Sequence, residues 1–263
     1  LKQAHLRCNV VAEKILMSNF ENANSPVPAS AKSPRVWDFL ETTLIGLVAY
    51  GAFLLTAGLG LFVLILAQYG TIPIAHIEFE GRWQGAGLVF GSPAAVAVLW
   101  VSVRKLDRDF SEYLALNWPS SRELFLAFAI TAVILIVEGY FRAFVGADTS
   151  WIAPSLNVQG RGGLLTFLIG CCLAAPIMEE FIVRGFLFRG WSQSFFGPVG
   201  AIVLTSVVWA LNHTQYDWSD RFCIFVFGLA LGYFRWRSNS TWLTVLVHSA
   251  MNIISSFMIG PYV

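Results

Sequence analysis

Charge is scarce in this chain. Asp, Glu, Lys and Arg make up 13% of its 263 residues, against about 25% in an ordinary soluble domain, while 56% are hydrophobic. A water-soluble fold of this size cannot hide that much apolar surface in one core. The formal net charge is only +1, so the basic footprint of a nucleic-acid binder is missing and no nucleic-acid partner is expected. Cysteine is rare as well. Of Cys8, Cys171, Cys172 and Cys223, three fall in apolar runs, and the adjacent pair has neither zinc-site nor disulfide-framework spacing. They read as small packing residues. The chain also lacks His-Glu-x-x-His, Gly-x-Ser-x-Gly and Gly-x-Gly-Asp, the marks of zinc, serine and one class of aspartyl hydrolases. Internal repeats and low-complexity tracts are absent too.

Apolar runs of bilayer length take their place. Seven spans are predicted, at 40–67, 86–103, 124–140, 164–188, 198–214, 222–236 and 241–260. The second and sixth are short, which leaves a tilted or re-entrant path open for them. Polar connectors such as Gln68–Gly85 and Arg104–Glu123 separate the runs, and Asp109–Glu123 has enough apolar residues for a short helix at the membrane surface. The expected fold is all-α: a polytopic transmembrane helix bundle of about seven spans over residues 40–263, preceded by a polar segment, 1–39. Residues 1–16 lack the apolar core of a secretion signal, and they read as sequence upstream of a start at Met17. Counted from Met17 with the N-terminus inside, the inner flanks hold ten Lys or Arg and the outer flanks four. That bias places the N-terminus inside and the C-terminus outside.

Ionisable groups within such spans are costly and point to function, with partners to be named. The fourth span carries Glu179-Glu180-Phe181-Ile182-Val183-Arg184. Adjacent carboxylates sit about 100° apart around a helix, so they face different neighbours. Glu180 and Arg184, four apart, share a face and can pair; Glu179 is left without a local counter-charge. The fifth span ends Trp209-Ala210-Leu211-Asn212-His213, and the seventh carries His248 and Asn252 on one face. At 1.5 Å per residue, Glu179 lies about 17 Å above Gly190, His213 about 22 Å above Pro198, and His248 and Asn252 about 10 and 16 Å above Thr241. Separate hairpins thus bring these groups to one broad layer of the bilayer. Glu41 and Glu138 read as interfacial, and Gly228 with Gly232 as a small-xxx-small packing pair. Singly, each polar group also has a structural reading: a satisfied donor, helix glue or a stabilising ion pair.

These residues resemble the CAAX protease and bacteriocin-processing family, the Ras-converting endopeptidase-like or Abi family. Its pattern is Glu-Glu-x-x-x-Arg, then Phe-x-x-x-His, then His-x-x-x-Asn or Asp, each on a transmembrane helix. The chain matches at Glu179–Arg184, at His213 and at His248–Asn252, with Trp209 where the family usually has Phe. The resemblance covers about 164–260, the protease-like core. It implies an intramembrane glutamic endopeptidase acting on a protein or peptide substrate at the lipid bilayer. Glu179 and His213 would activate water, His248 and Asn252 would donate to the oxyanion, and Glu180 and Arg184 would support them, with no cofactor. A zinc-dependent version with Glu179, His213 and His248 as ligands remains open. So does a non-enzymatic membrane scaffold or immunity factor. A proton-relay transporter fits the depth, but paired halves and broken helices are missing. The polar N-terminal segment lacks eukaryotic targeting features, which suggests a bacterial inner membrane.

The basic-residue bias predicts that the connector holding Arg104–Arg122 faces the cytoplasm. A single cysteine placed there in a cysteine-free background should stay unlabelled by an impermeant thiol reagent in sealed cells. Strong external labelling would overturn the orientation.

Overall fold

The computed structural model describes residues 35–70, 81–146 and 160–259, and of these residues 160–162 and 257–259 by their backbone only. Met17 and the segment before it lie outside the described residues. The described residues from Val36 onward form one compact unit. Among the described residues every regular element is helical. In order these are α1 (Phe39–Tyr69), α2 (Gly81–Arg104), α3 (Phe110–Leu114) and α4 (Ser121–Val145). A continuous run follows, made of α5 (Gly160–Ile169), a π-helical segment (Gly170–Ala174), α6 (Ala175–Glu180), a second π-helical segment (Phe181–Leu187) and α7 (Phe188–Ser192). The chain closes with α8 (Gly197–Asn212), α9 (Trp218–Ser238) and α10 (Thr241–Ile259).

Helices stand at all seven predicted spans, and the interfacial Asp109–Glu123 segment holds the short α3. Four helices are long and apolar enough to cross a membrane: Phe39–Tyr69, Gly81–Arg104, Ser121–Val145 and Gly163–Ser192. The protein is therefore an integral membrane α-helical bundle, and four of the seven helices at the expected spans meet the length and apolarity of a crossing by themselves. α8 is apolar but only 16 residues long, and α9 carries Asp220, Arg221, Arg235 and Arg237 within its 21 residues. Local signals explain the starts. Asp38 with Glu41, and Ser120 with Glu123, form reciprocal capping boxes at α1 and α4, satisfying N–H groups that the first helical turn leaves unpaired. Glu41 thus works as a cap.

Burial orders the bundle. Only 11% of the apolar windows of α1 and α4 is buried, against 56% for Gly163–Ser192. Leu44, Leu47, Ile136 and Val137 are exposed outward, as side chains solvated by lipid should be. The 163–192 helix is the central post. α3 docks beneath it: Tyr113 and Leu114 are fully buried, and burial pushes the Tyr113 phenol up to about 12. The turn after α3 fixes the start of α10, where Thr241 N–H donates to Ala115 O at 2.9 Å and Asn117 Nδ2 to Asn239 O at 2.9 Å. Glu138, read as interfacial, accepts from Arg142 at 2.8 Å, and Arg142 also bonds Asp220 of α9. That network ties α4 to α9.

In lipid, helices associate through close packing at small residues rather than through hydrophobic burial. The α2 crossing of the central helix is an extreme case. A Cβ on Gly85 would fall 2.3 Å from Thr166 O, and one on Gly170 would fall 2.4 Å from the Gly85 Cα. The backbones touch, so no side chain fits. We expect Gly170→Val to lose about 3 kcal/mol or more in detergent unfolding, at or above the top of the usual overpacking range because backbone must move. Gly51→Ala, whose Cβ would meet open space, should be neutral or slightly stabilising. Equal stability of the two variants would contradict the packing described.

Candidate active site

The motif helix departs from α-geometry twice, on either side of Ala175–Glu180. Such π-bulges are rare and often mark functional sites. The first has an identifiable backbone consequence. Ala175 N–H bonds back to Gly170 O, one residue beyond the α-helical partner, and Pro176 has no N–H to give. The Cys171 carbonyl therefore loses both its helical donors. Asn252 Nδ2, from α10, donates to that carbonyl at 2.7 Å. A buried carbonyl left unpaired in an apolar bundle is costly, so this amide closes a gap in the helix and fixes α10 against it.

One turn later the charges appear. Glu180 is fully buried, and its Oε1 lies 3.0 Å from Arg184 Nη1 and 3.0 Å from His248 Nδ1. Arg184, equally buried, donates through Nη2 to Gly228 O at 3.3 Å. That contact needs α9 close, and Gly228 allows it: a Cβ there would meet Ser206 Cβ at 3.0 Å. The small-xxx-small pair thus serves both packing and the ion pair. Arg235 of α9 donates through Nε to the Arg184 carbonyl at 3.0 Å. Glu180 Oε2 and Arg184 Nε find no partner among the described residues.

Glu179 turns the other way, as the 100° offset requires. It is half-buried, and its Oε2 accepts from Trp209 Nε1 at 2.6 Å. The same indole gathers the rest of the site. The His213 ring stands edge-on to it at 5.0 Å and the His248 ring at 5.2 Å. The Arg184 guanidinium lies 4.4 Å from its centroid, a cation–π distance. His213 is the residue that ends α8, with φ −82° and ψ 60°, so it caps the helix rather than standing within it. Its Nδ1 is 2.7 Å from Trp209 O. A carbonyl only accepts, so Nδ1 carries the hydrogen and Nε2 is the basic nitrogen of the neutral ring.

The geometry sorts the expected residues into two groups. Glu180, Arg184 and His248 form a buried set; Glu179 and His213 form a half-buried set, and Trp209 joins the two. Asn252 stands one turn along α10 from His248, with one of its two amide hydrogens committed to Cys171. Three features were not anticipated: the π-bulges, the indole hydrogen bond, and buried Arg235. Of these only the indole left a signal, since a buried Trp N–H needs an acceptor and Glu179 was the carboxylate without a partner. Among the described residues no group of three or more His, Cys, Asp or Glu side chains is arranged to hold a metal ion.

Removing Arg184 should therefore be worse than removing a surface cation. Arg184→Ala leaves Glu180 buried beside a single imidazole, and breaking a buried pair costs about 3–5 kcal/mol. We expect the variant to unfold at clearly lower temperature in detergent; a melting point equal to the parent's would show the pair is not structural.

No curated protein and no solved structure matches the chain significantly. Residues 161–254, the stretch that carries all the groups above, match the family model described as type II CAAX prenyl endopeptidase Rce1-like.

Proposed function

We propose that the protein is an intramembrane endopeptidase that hydrolyses a peptide bond of a membrane-associated protein or peptide, using Glu179 and His213 to activate water. The carrying observation is the half-buried Glu179 carboxylate, held through one oxygen by Trp209 at 2.6 Å with its other oxygen unbonded among the described residues. His213 sits where α8 gives way to the exposed Thr214 and Gln215, so water has a path to this end of the site.

In this mechanism Glu179 takes a proton from water as the water oxygen attacks the carbonyl carbon, and His213 Nε2 accepts that water's second hydrogen bond. The oxyanion that forms is met by His248 Nε2–H and by the uncommitted Nδ2 hydrogen of Asn252. A ring that already donates through Nδ1 can donate through Nε2 only as imidazolium, and Glu180 supplies the counter-charge beside it. Donors placed where charge develops are typically worth on the order of 3 kcal/mol each in hydrolases. Collapse breaks the C–N bond, and the proton held by Glu179 passes to the leaving amine. Glu180 and Arg184 keep the helix and the His248 ring in register. No cofactor takes part. The setting we propose is a bacterial inner membrane, with all seven helices crossing it.

Internally quenched peptides with and without a farnesylated C-terminal CAAX cysteine, supplemented by a library, test this in detergent. Glu179→Gln should fold and lose cleavage by about 100-fold or more, because Gln keeps the size and the acceptor oxygen but not the basic carboxylate. Parental cleavage by the Gln variant would refute the glutamate mechanism. Inactivation by chelators with rescue by zinc would favour the metal-dependent version. A parent that cleaves no peptide, with Glu179→Gln retaining full biological function, would indicate a scaffold. The farnesyl comparison reads directly whether a lipidated substrate is preferred.

A further inference from the structure

We propose that Trp209 is a positioning residue for the reaction: its indole N–H fixes the Glu179 carboxylate so that a single oxygen faces the water. This rests on the reading of Glu179 as the base. Trp has one polar hydrogen, a donor only, and at 4% exposure in a lipid-embedded bundle it must find an acceptor. It has found a carboxylate on another helix, at 2.6 Å, the short distance of a charge-assisted bond. A glutamate otherwise has three rotatable bonds and two equivalent oxygens. Anchoring Oε2 removes most of that freedom and leaves Oε1 for the chemistry.

The indole is itself held on every side. The two histidine rings meet it edge-on at 5.0 and 5.2 Å, Phe227 lies 6.1 Å away, and Arg184 is 4.4 Å from its centroid. Gly228 opens its slot, since a Cβ there would come within 3.2 Å of Trp209 Cε3. Arg184 is in turn fixed by Glu180 and Gly228. One rigid plane therefore relates the positions of the base, its histidine neighbour, the second histidine and the ion pair. Phenylalanine, the residue of the resembled pattern, keeps an aromatic ring at this position but cannot donate. In this chain the base is oriented by a hydrogen bond that such a sequence lacks.

The test separates orientation from packing. With the peptide the parent cleaves best, Trp209→Phe should lower kcat by about 10- to 100-fold, the range a misplaced group costs, while KM stays within about twofold. Its melting temperature should stay near the parent's. In parallel, protein labelled with 15N-tryptophan gives indole N–H resonances among which Trp209's is the one lost in Trp209→Phe. That resonance should move upfield in Glu179→Ala, where the acceptor is gone. Parental kcat in Trp209→Phe with an inactive Glu179→Gln would overturn the positioning role and leave the glutamate mechanism standing. A raised KM at unchanged kcat would overturn it too, making the indole a substrate contact. Parental activity in Glu179→Gln would remove the mechanism and this proposal together. Should Trp209→Phe not fold, the indole resonances of the parent and Glu179→Ala decide: an identical set means the hydrogen bond does not exist.

Discussion

A carboxylate with no exposed surface stands at the centre of a lipid-embedded bundle, and the arrangement around it follows from the need to keep it there. An isolated charge in such a medium costs far more than a folded protein can spare. Glu180 is tolerable because one oxygen meets Arg184 and His248 at 3.0 Å each. Those partners impose further conditions. Arg184 must also place its second terminal nitrogen, which it does on Gly228 O, so α9 has to approach without a side chain. His248 must come from α10, whose start is held by the turn after α3. A single buried charge thereby dictates the placement of three helices. Whether the pair adds net stability is a separate matter, since buried pairs are often no better than apolar packing. Its clear contribution is register.

The backbone of the motif helix is shaped by the same economy of polar groups. A π-bulge shifts one hydrogen bond, Pro176 deletes another, and the Cys171 carbonyl left over becomes a docking point for Asn252. Gly170, inside that bulge, presses against Gly85 with no room for a Cβ. A widened turn, a proline, a glycine and an asparagine from the last helix thus form one local solution. Asn252 consequently has a structural duty whatever its part in catalysis, and effects of its substitution will mix the two.

Helix positions were legible because apolar run length and periodicity report them directly, and every predicted span holds a helix. The crossing count was less so. α9 keeps a buried Arg235 and a paired Asp220, which lowers its apolarity without moving it out of the bundle. The convergence of Glu179, Glu180, His213 and His248 could be anticipated from helical rise alone, since depth is additive along a straight helix. Lateral contacts are not additive in that way. Which oxygen meets which donor depends on helix rotation, and the π-bulges change that rotation with no clear sequence signal. Trp209 shows the gap best. As a motif position it looked like an aromatic swapped for another aromatic. Its N–H, however, lies in the same layer as the one carboxylate left unpaired.

Two adjacent glutamates end in opposite circumstances, and this contrast underlies the role we propose for Glu179. Glu180 is sealed from the surface and bonded to Arg184 and His248. Glu179, a hundred degrees around the helix, is half-buried, bonded through one oxygen to a neutral donor, and lies on the side where α8 ends. Enzymes that use two like groups separate their roles by environment rather than by identity. Here the two environments differ by helical geometry: one residue of rotation carries a carboxyl group from the ion-paired interior to a half-buried edge. α8 ends at His213, and the exposed Thr214 and Gln215 follow it. The capping conformation of His213 turns its Nδ1 hydrogen back onto the helix end, at Trp209 O. That leaves Nε2 as the basic nitrogen of the neutral ring.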